Sequence, residues 1–276
     1  MKEYLFSCVK GWIEEFQIDG LRLDVAYCLN ENFMRELRAF CDSVRPDFLL
    51  LGEILFGDYK RIVNDAMLHS CTNYECYKGL YSSFNDLNLF EINYALNWQF
   101  GKDNPIYGGM HLLSFAENHD VTRVASILKD KRHLPLLYTM LFTMPGIPCI
   151  YYGGEWGISG VKENGSDDAL RPALSEPQWN ELTDLISSLA KVHKEQKALL
   201  YGDYKSIVLT NRQLIFQREF EGERIWVSVN ADEQAYQARF HGMENCEVTD
   251  LLCEEKLFLN DSFTLPPFSF FMWKLS

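Results

Sequence analysis

Three short apolar runs that each stop at a carboxylate constrain this chain more than any other feature. Gly20-Leu21-Arg22-Leu23 runs into Asp24, Leu49-Leu50-Leu51-Gly52 runs into Glu53, and the segment from Leu112 onward reaches Asp120. Stretches of helical period separate them. Leu5, Val9, Trp12, Ile13 and Phe16 form one apolar stripe. Phe33, Leu37, Phe40, Cys41 and Val44 form a second, with Asn30 as N-cap and Pro46 just beyond its end. Strands that alternate with helices pair in parallel, because a parallel pair needs a crossover connection. Acids at the C-terminal ends of parallel strands are how a barrel enzyme gathers a site from distant sequence.

The alternation continues through a weaker strand near Ala66 to Tyr74, a helix from about Leu87 to Phe100 and a strand over Leu112 to Ala116. A helix carrying Leu134, Leu137, Leu141 and Phe142 leads to Pro145, a strand spans Ile147 to Tyr152, and an amphipathic helix covers about Pro177 to Gln196. Five strands with intervening helices make residues 1–200 an α/β unit, part of a (β/α)8 barrel. The character changes near Gly202. Short β-rich runs follow, at Ile207–Thr210, Leu214–Phe220, Arg224–Asn230, Ala235–Phe240, Phe263–Leu265 and Phe268–Trp273, with hairpin turns at Asn211-Arg212 and Glu221-Gly222. Residues 201–276 are therefore expected to form an antiparallel β-sandwich domain. Phe216, Trp226, Phe240 and Trp273 are expected to fill its core rather than bind ligand.

A formal charge of −13 argues against nucleic acid or an anionic membrane as partner. The eight cysteines show no Cys-x-x-Cys pair and read as small buried hydrophobes in a reducing cytoplasm. Met1 to Ile18 is interrupted by Glu3, Lys10, Glu14 and Glu15, unlike a signal peptide, so the expected localisation is cytoplasmic. No metal or phosphate motif is present, and no cofactor is expected.

Asp24 and Glu53 lie 29 residues apart, about one strand-plus-helix unit, which places them on adjacent strands. Neighbouring strands can hold two carboxylates about 5 Å apart, the separation a retaining glycosidase uses. Arg22 shares the strand face of Asp24 and would hold it ionised, although a structural ion pair reads equally well. The apolar run before Glu53 would bury it, as a general acid requires, and a helix-capping role is the alternative. Asn118-His119-Asp120 gathers hydrogen-bonding groups at a third strand end.

The strings GLRLDVA (20–26), GEI (52–54) and ENHD (117–120), in this order and spacing, resemble three short motifs of the α-amylase family, glycoside hydrolase family thirteen. GIPCIYYGGEWG (146–157) resembles its eighth-strand segment. The wording is most similar to the cyclomaltodextrinase, maltogenic amylase and neopullulanase group. The resemblance implies strands four to eight of the barrel followed by the family's C-terminal β domain. It implies Asp24 as nucleophile, Glu53 as general acid/base and Asp120 as transition-state stabiliser, with Arg22 and His119 binding the glucosyl unit. Starch-derived α-glucan oligosaccharides or cyclodextrins would be the substrate. Leu55 stands where many of these enzymes carry tryptophan, and Gly154 stands where an aspartate is common. Strands one to three and their motifs would precede Met1. Five strands cannot close an eight-stranded barrel, so self-association or an upstream segment is expected to complete it, and the chain by itself is expected to be weak or inactive. A non-catalytic carbohydrate-binding or assembly fragment, and an α-glucan transglycosidase using the same acids, are the alternatives.

Overall fold

The computed structural model describes residues 1–240 and 246–275. The chain divides into two compact units, Met1–Tyr74 with Met110–Leu113, and Glu75–Gly109 with Ser114–Ser276.

The first unit begins with α1 (Lys2–Phe16), β1 (Gly20–Leu23), α2 (Glu31–Val44), β2 (Leu49–Gly52) and β3 (Ser70–Cys71). Asn30 caps α2 by accepting from the Phe33 amide at 3.2 Å, and α2 buries Met34, Leu37 and Cys41. Phe6 of α1 stacks on Phe33 and Phe40, with centroids 5.9 and 4.8 Å apart. The strands are parallel in the order β1-β2-β3, and Thr72 forms a further parallel bridge to Leu113. β3 is two residues long where a strand over Ala66 to Tyr74 is expected. The reason is local: the chain turns at Asn64–Met67, where Asn64 accepts the Met67 amide and donates to Leu68, and Tyr74 already begins a helix.

That helix, α3 (Tyr74–Asn85), is absent from the sequence expectation. It buries Cys76, Tyr77, Leu80 and Phe84, but Gly79, Ser82 and Ser83 are buried with them and dilute the apolar period. In the second unit α4 (Phe90–Phe100), β4 (Leu113–Phe115), α5 (Val124–Ile127), α6 (Leu134–Thr143), β5 (Ile147–Cys149), α7 (Glu181–Glu195) and α8 (Lys197–Tyr201) follow. β4 pairs with β5, and α6 is buried on nearly every side.

The eight remaining strands are β6 (Asp203–Leu209), β7 (Gln213–Phe220), β8 (Glu223–Asn230), β9 (Tyr236–Arg239), β10 (Cys246–Asp250), β11 (Lys256–Leu259), β12 (Ser262–Leu265) and β13 (Ser269–Leu275). They form an antiparallel sheet in the order β11-β10-β13-β8-β7-β6, faced by the pair β9-β12. Glu221 and Gly222 both have positive φ, the two-residue turn that suits hairpin twist. β10 escapes the sequence reading because polar residues interrupt it, as Cys-Glu-Val-Thr-Asp, and β11 because its apolar run, in Lys-Leu-Phe-Leu, is only three residues long. Phe216, Trp226, Phe240 and Trp273 are all buried, as expected of core.

Arg218 on β7 is buried, with the Asp203 carboxylate as a nearby counter-charge. It donates to the carbonyls of Gly202, Asp203 and Thr143, which fastens the sheet to the C-terminal end of α6. Burial pushes its pKa down to about 9. All eight cysteines are free thiols. Cys41, Cys71 and Cys76 are the buried hydrophobes expected, whereas Cys28 and Cys253 are exposed. Among the described residues no helix is long and apolar enough to cross a membrane.

Trp273 is fully buried and stacks on Phe271 with edge contact to Phe263. Trp273→Ala should lower stability by about 3–5 kcal/mol; denaturant unfolding of both proteins measures it.

Candidate active site

In the first unit the register Leu23↔Gly52 sets Asp24 and Glu53 side by side, each just past the C-terminal end of its strand. The ladder continues beyond the strands, because Glu53 N–H donates to Leu23 and Ala26 N–H donates to Glu53. A side chain cannot replace Gly52, since its Cβ would lie 2.5 Å from Leu68 and 2.9 Å from Ala26. Thr72 Oγ1 accepts from the Ile54 amide at 2.9 Å and donates to the Ile54 carbonyl at 3.2 Å, which fixes the backbone on the far side of Glu53.

Glu53 is buried, at 6% exposure, as expected. Its Oε1 accepts from Arg22 Nη2 at 3.0 Å, and its Oε2 accepts from the Val25 amide at 3.0 Å. Arg22 also donates through Nη1 to Asp24 Oδ1. The guanidinium assigned to Asp24 alone therefore bridges both acids. Asp24 lies open to solvent, with its side chain 71% exposed. Val25 supplies its amide by adopting φ 47 and ψ 42, a left-handed conformation that a β-branched residue rarely takes. Tyr27, Ile54, Phe56, Asp58 and Arg61 line a depression of about 430 Å³. The rings of Tyr27 and Phe56 are 5.0 Å apart, and Phe56 is 68% exposed. Leu55 is partly exposed as well.

The second unit carries His119 and Asp120 on the loop that follows β4. His119 Nε2 lies 3.0 Å from Asp120 Oδ2, so the two expected site residues are paired with each other. Arg171 Nη2 donates to Asp120 Oδ1 at 2.9 Å and to Asp167 Oδ2 at 3.1 Å. Asp120 N–H donates to Asn118 Oδ1 at 2.8 Å, and Lys162 Nζ donates to the Asp120 carbonyl at 2.7 Å.

Three residues of importance here were not singled out in the sequence. Glu117 is buried and accepts from Arg123 Nη1 at 2.9 Å and from the Val124 amide at 2.6 Å. Arg123, fully buried, also donates to the carbonyls of Tyr152 and Leu170 and lies 4.1 Å from the centroid of Tyr151. This cluster explains Gly154, whose Cβ would sit 2.5 Å from Glu117 Oε1. Arg171 had a weak signal, its i,i+4 spacing from Asp167. Arg123 had none, because nothing local marks a loop arginine as buried. Among the described residues no group of three or more His, Cys, Asp or Glu side chains could hold a metal ion.

Acids at the C-terminal ends of parallel strands, bridged by an arginine, and followed by an antiparallel sheet, mark an α/β protein with paired strand-end carboxylates. Residues 1–197 match the alpha-amylase catalytic domain, and the chain belongs to that family. It is similar to a cyclomaltodextrinase of Geobacillus thermopakistaniensis, 28% identical over 85% of this chain and 40% of the relative. It is also similar to a maltogenic alpha-amylase of Bacillus acidopullulyticus, 27% identical over 96% of this chain and 46% of the relative. The chain thus spans less than half the length of these curated relatives. The acarbose complex of an alpha-amylase from Geobacillus thermoleovorans shares the fold over the whole chain and 64% of its own, with a TM-score of 0.85 at 24% identity.

Burial raises the Glu117 pKa above its ordinary 4.5, outweighing the Val124 amide and Arg123. The native state then keeps this proton to higher pH than the unfolded chain does, so the contribution of Glu117 to stability falls as pH rises above 4.5. Compared with Glu117→Gln, the wild-type protein should lose relative stability across that rise; parallel unfolding curves at several pH values measure it.

Proposed function

We propose that the protein to which this chain belongs hydrolyses α-glucosidic bonds of starch-derived oligosaccharides or cyclodextrins with retention of configuration. The observation that carries this reading is Arg22, shared between an exposed Asp24 and a buried Glu53 at adjacent strand ends. Asp24, accessible and held beside a fixed cation, attacks the anomeric carbon. Glu53 delivers a proton to the glycosidic oxygen as the bond breaks, leaving a glucosyl ester on Asp24. Glu53 then takes a proton from the water that cleaves that ester, so two inversions return the α-configuration. The motif resemblance of Glu117-Asn118-His119-Asp120 supports Asp120 as the transition-state stabiliser and His119 as a glucosyl-binding group. The depression lined by Tyr27, Ile54 and Phe56 takes the leaving-group sugar, which stacks on the exposed aromatic rings.

In this reading residues 1–200 supply strands four to eight of the (β/α)8 catalytic barrel, and 201–276 form its β-sandwich companion. β1 pairs with β2 alone among the described residues. Its other edge takes a strand from an upstream segment or from a second copy of the chain, which an open parallel edge requires. The composition and the 27% identity to an intracellular maltogenic amylase of Bacillus subtilis support a cytoplasmic enzyme.

Glu53→Gln should lower turnover of maltooligosaccharides or cyclodextrins by about 10²–10⁴-fold, and Phe56→Ala should raise KM with a smaller change in kcat. NMR of freshly released product should show the α-anomer first. Initial β-anomer, or equal turnover by the Glu53→Gln protein, would refute the assignment.

A further inference from the structure

The outward face of α4 carries three aromatic rings in a row. Phe90, Tyr94 and Trp98 are spaced i, i+4, i+8, so each follows the last by about 6 Å along the helix axis and about 40° around it. They are 44%, 70% and 46% exposed, while Ile92, Leu96 and Phe100 are buried on the other side. A helix apolar on both faces has one more apolar face than its packing uses. Both ends of α4 are fastened to β6 and the turn after it. Leu89 N–H donates to the Asn211 carbonyl at 2.8 Å, Tyr204 Oη to Asn93 Oδ1 at 2.7 Å, and Lys102 N–H to the Tyr204 carbonyl at 3.2 Å. The rings therefore stand on a fixed support. Among the described residues none of the three rings touches another ring or a cation, and Tyr94 Oη, Trp98 Nε1 and the Asn97 side-chain amide make no hydrogen bond.

We propose that this face is a binding platform for a neutral α-glucan chain. It lies wholly in the second unit, whereas Asp24 and Glu53 belong to the first. The three rings leave about 300 Å² open, well below the roughly 800 Å² that each partner gives to a stable protein interface. Charge closes the patch at its sides: Lys78 Nζ pairs with Glu91 Oε1 at 3.3 Å, and Lys102 Nζ lies 4.0 Å from Glu219 Oε2. A second copy of the chain thus has too little surface to hold here. A pyranose suits the face better, because it has C–H groups on its flat sides and hydroxyls around its edge. It can stack on an exposed ring without desolvating a charge, while its edge meets Tyr94 Oη, Trp98 Nε1 and the Asn97 amide. Successive sugars of one chain can take successive rings. An acidic polysaccharide would be repelled by a chain of net charge −13, and a neutral one would not. The choice of glucose as the sugar rests on the hydrolase reading; the platform does not.

Affinity electrophoresis in native gels containing amylopectin tests this on the full chain, with Glu53→Gln as parent so that turnover cannot consume the ligand. The parent should be retarded. Adding Tyr94→Ala and Trp98→Ala together should raise the dissociation constant about 10-fold, with the urea midpoint unchanged because both rings are exposed. If that pair unfolds more easily, Tyr94→Ser alone, at the most exposed ring, should still weaken retardation. Phe56→Ala in the same parent should leave the retardation in place. A parent that is not retarded, or retardation that survives loss of the rings, overturns the inference. So does equal retardation by polygalacturonate, or a dimer in sedimentation that the ring substitutions dissociate. Retardation with wild-type and Glu53→Gln chains equally inert would sink only the hydrolase reading, and turnover without retardation would sink only the platform.

Discussion

The carboxylate of Glu53 is the point on which the strand-end geometry depends. It receives Arg22 on one oxygen and the Val25 amide on the other, and its own backbone carries the β1–β2 ladder past the end of both strands. A left-handed conformation at a β-branched residue costs roughly 1–2 kcal/mol. The structure offsets that cost at Val25 with a charge-assisted hydrogen bond and by tucking Ala26 against Gly52. Strain that is held in place by a buried acid, beside an exposed one, is the pattern expected where a backbone has been shaped for chemistry.

The segment Glu117-Asn118-His119-Asp120 separates two tasks within four residues. Glu117 points inward and, with Arg123, organises the chain around it through the Val124 amide and the carbonyls of Tyr152 and Leu170. A buried ion pair contributes little net stability after desolvation, but it penalises every arrangement that leaves either charge alone. Asp120 is one-third exposed, with Arg171 on one oxygen and His119 on the other. The interior acid fixes the loop, and the exterior acid is what the loop presents.

How much of this was legible in the sequence follows from how far apart the interacting residues lie. Asp24 and Glu53 were placed on adjacent strands because strand-end acids one crossover apart can hardly lie elsewhere, and the register Leu23↔Gly52 agrees. α2 was legible because its apolar stripe, cap and stop signal agree with one another. α3 was not, since buried Gly79, Ser82 and Ser83 make a packed face look polar. β10 and β11 were hidden for a related reason. Their stability comes from pairing with β13 and with each other, not from a strong local pattern. The acids of the site sit in recognisable strings, whereas Arg123 and Arg171 act on partners six and 51 positions away, where no local rule applies.

Arginine is the common device behind these positions, and burial decides what each one does. Arg22, one-third exposed, couples two acids and leaves one of them open. Arg123, fully buried, is spent on one acid and two carbonyls, so its charge is confined to structure. Arg218 has the Asp203 carboxylate nearby but spends its donors on three carbonyls, which joins β7 to α6. Arg171, nearly half exposed, returns to the surface to hold Asp120. A lysine could neutralise charge at any of these places. It could not set two or three acceptors at fixed angles to one another, and the positions of the acids depend on those angles. In a chain of net charge −13, these few cations are placed where segments distant in sequence must meet in register.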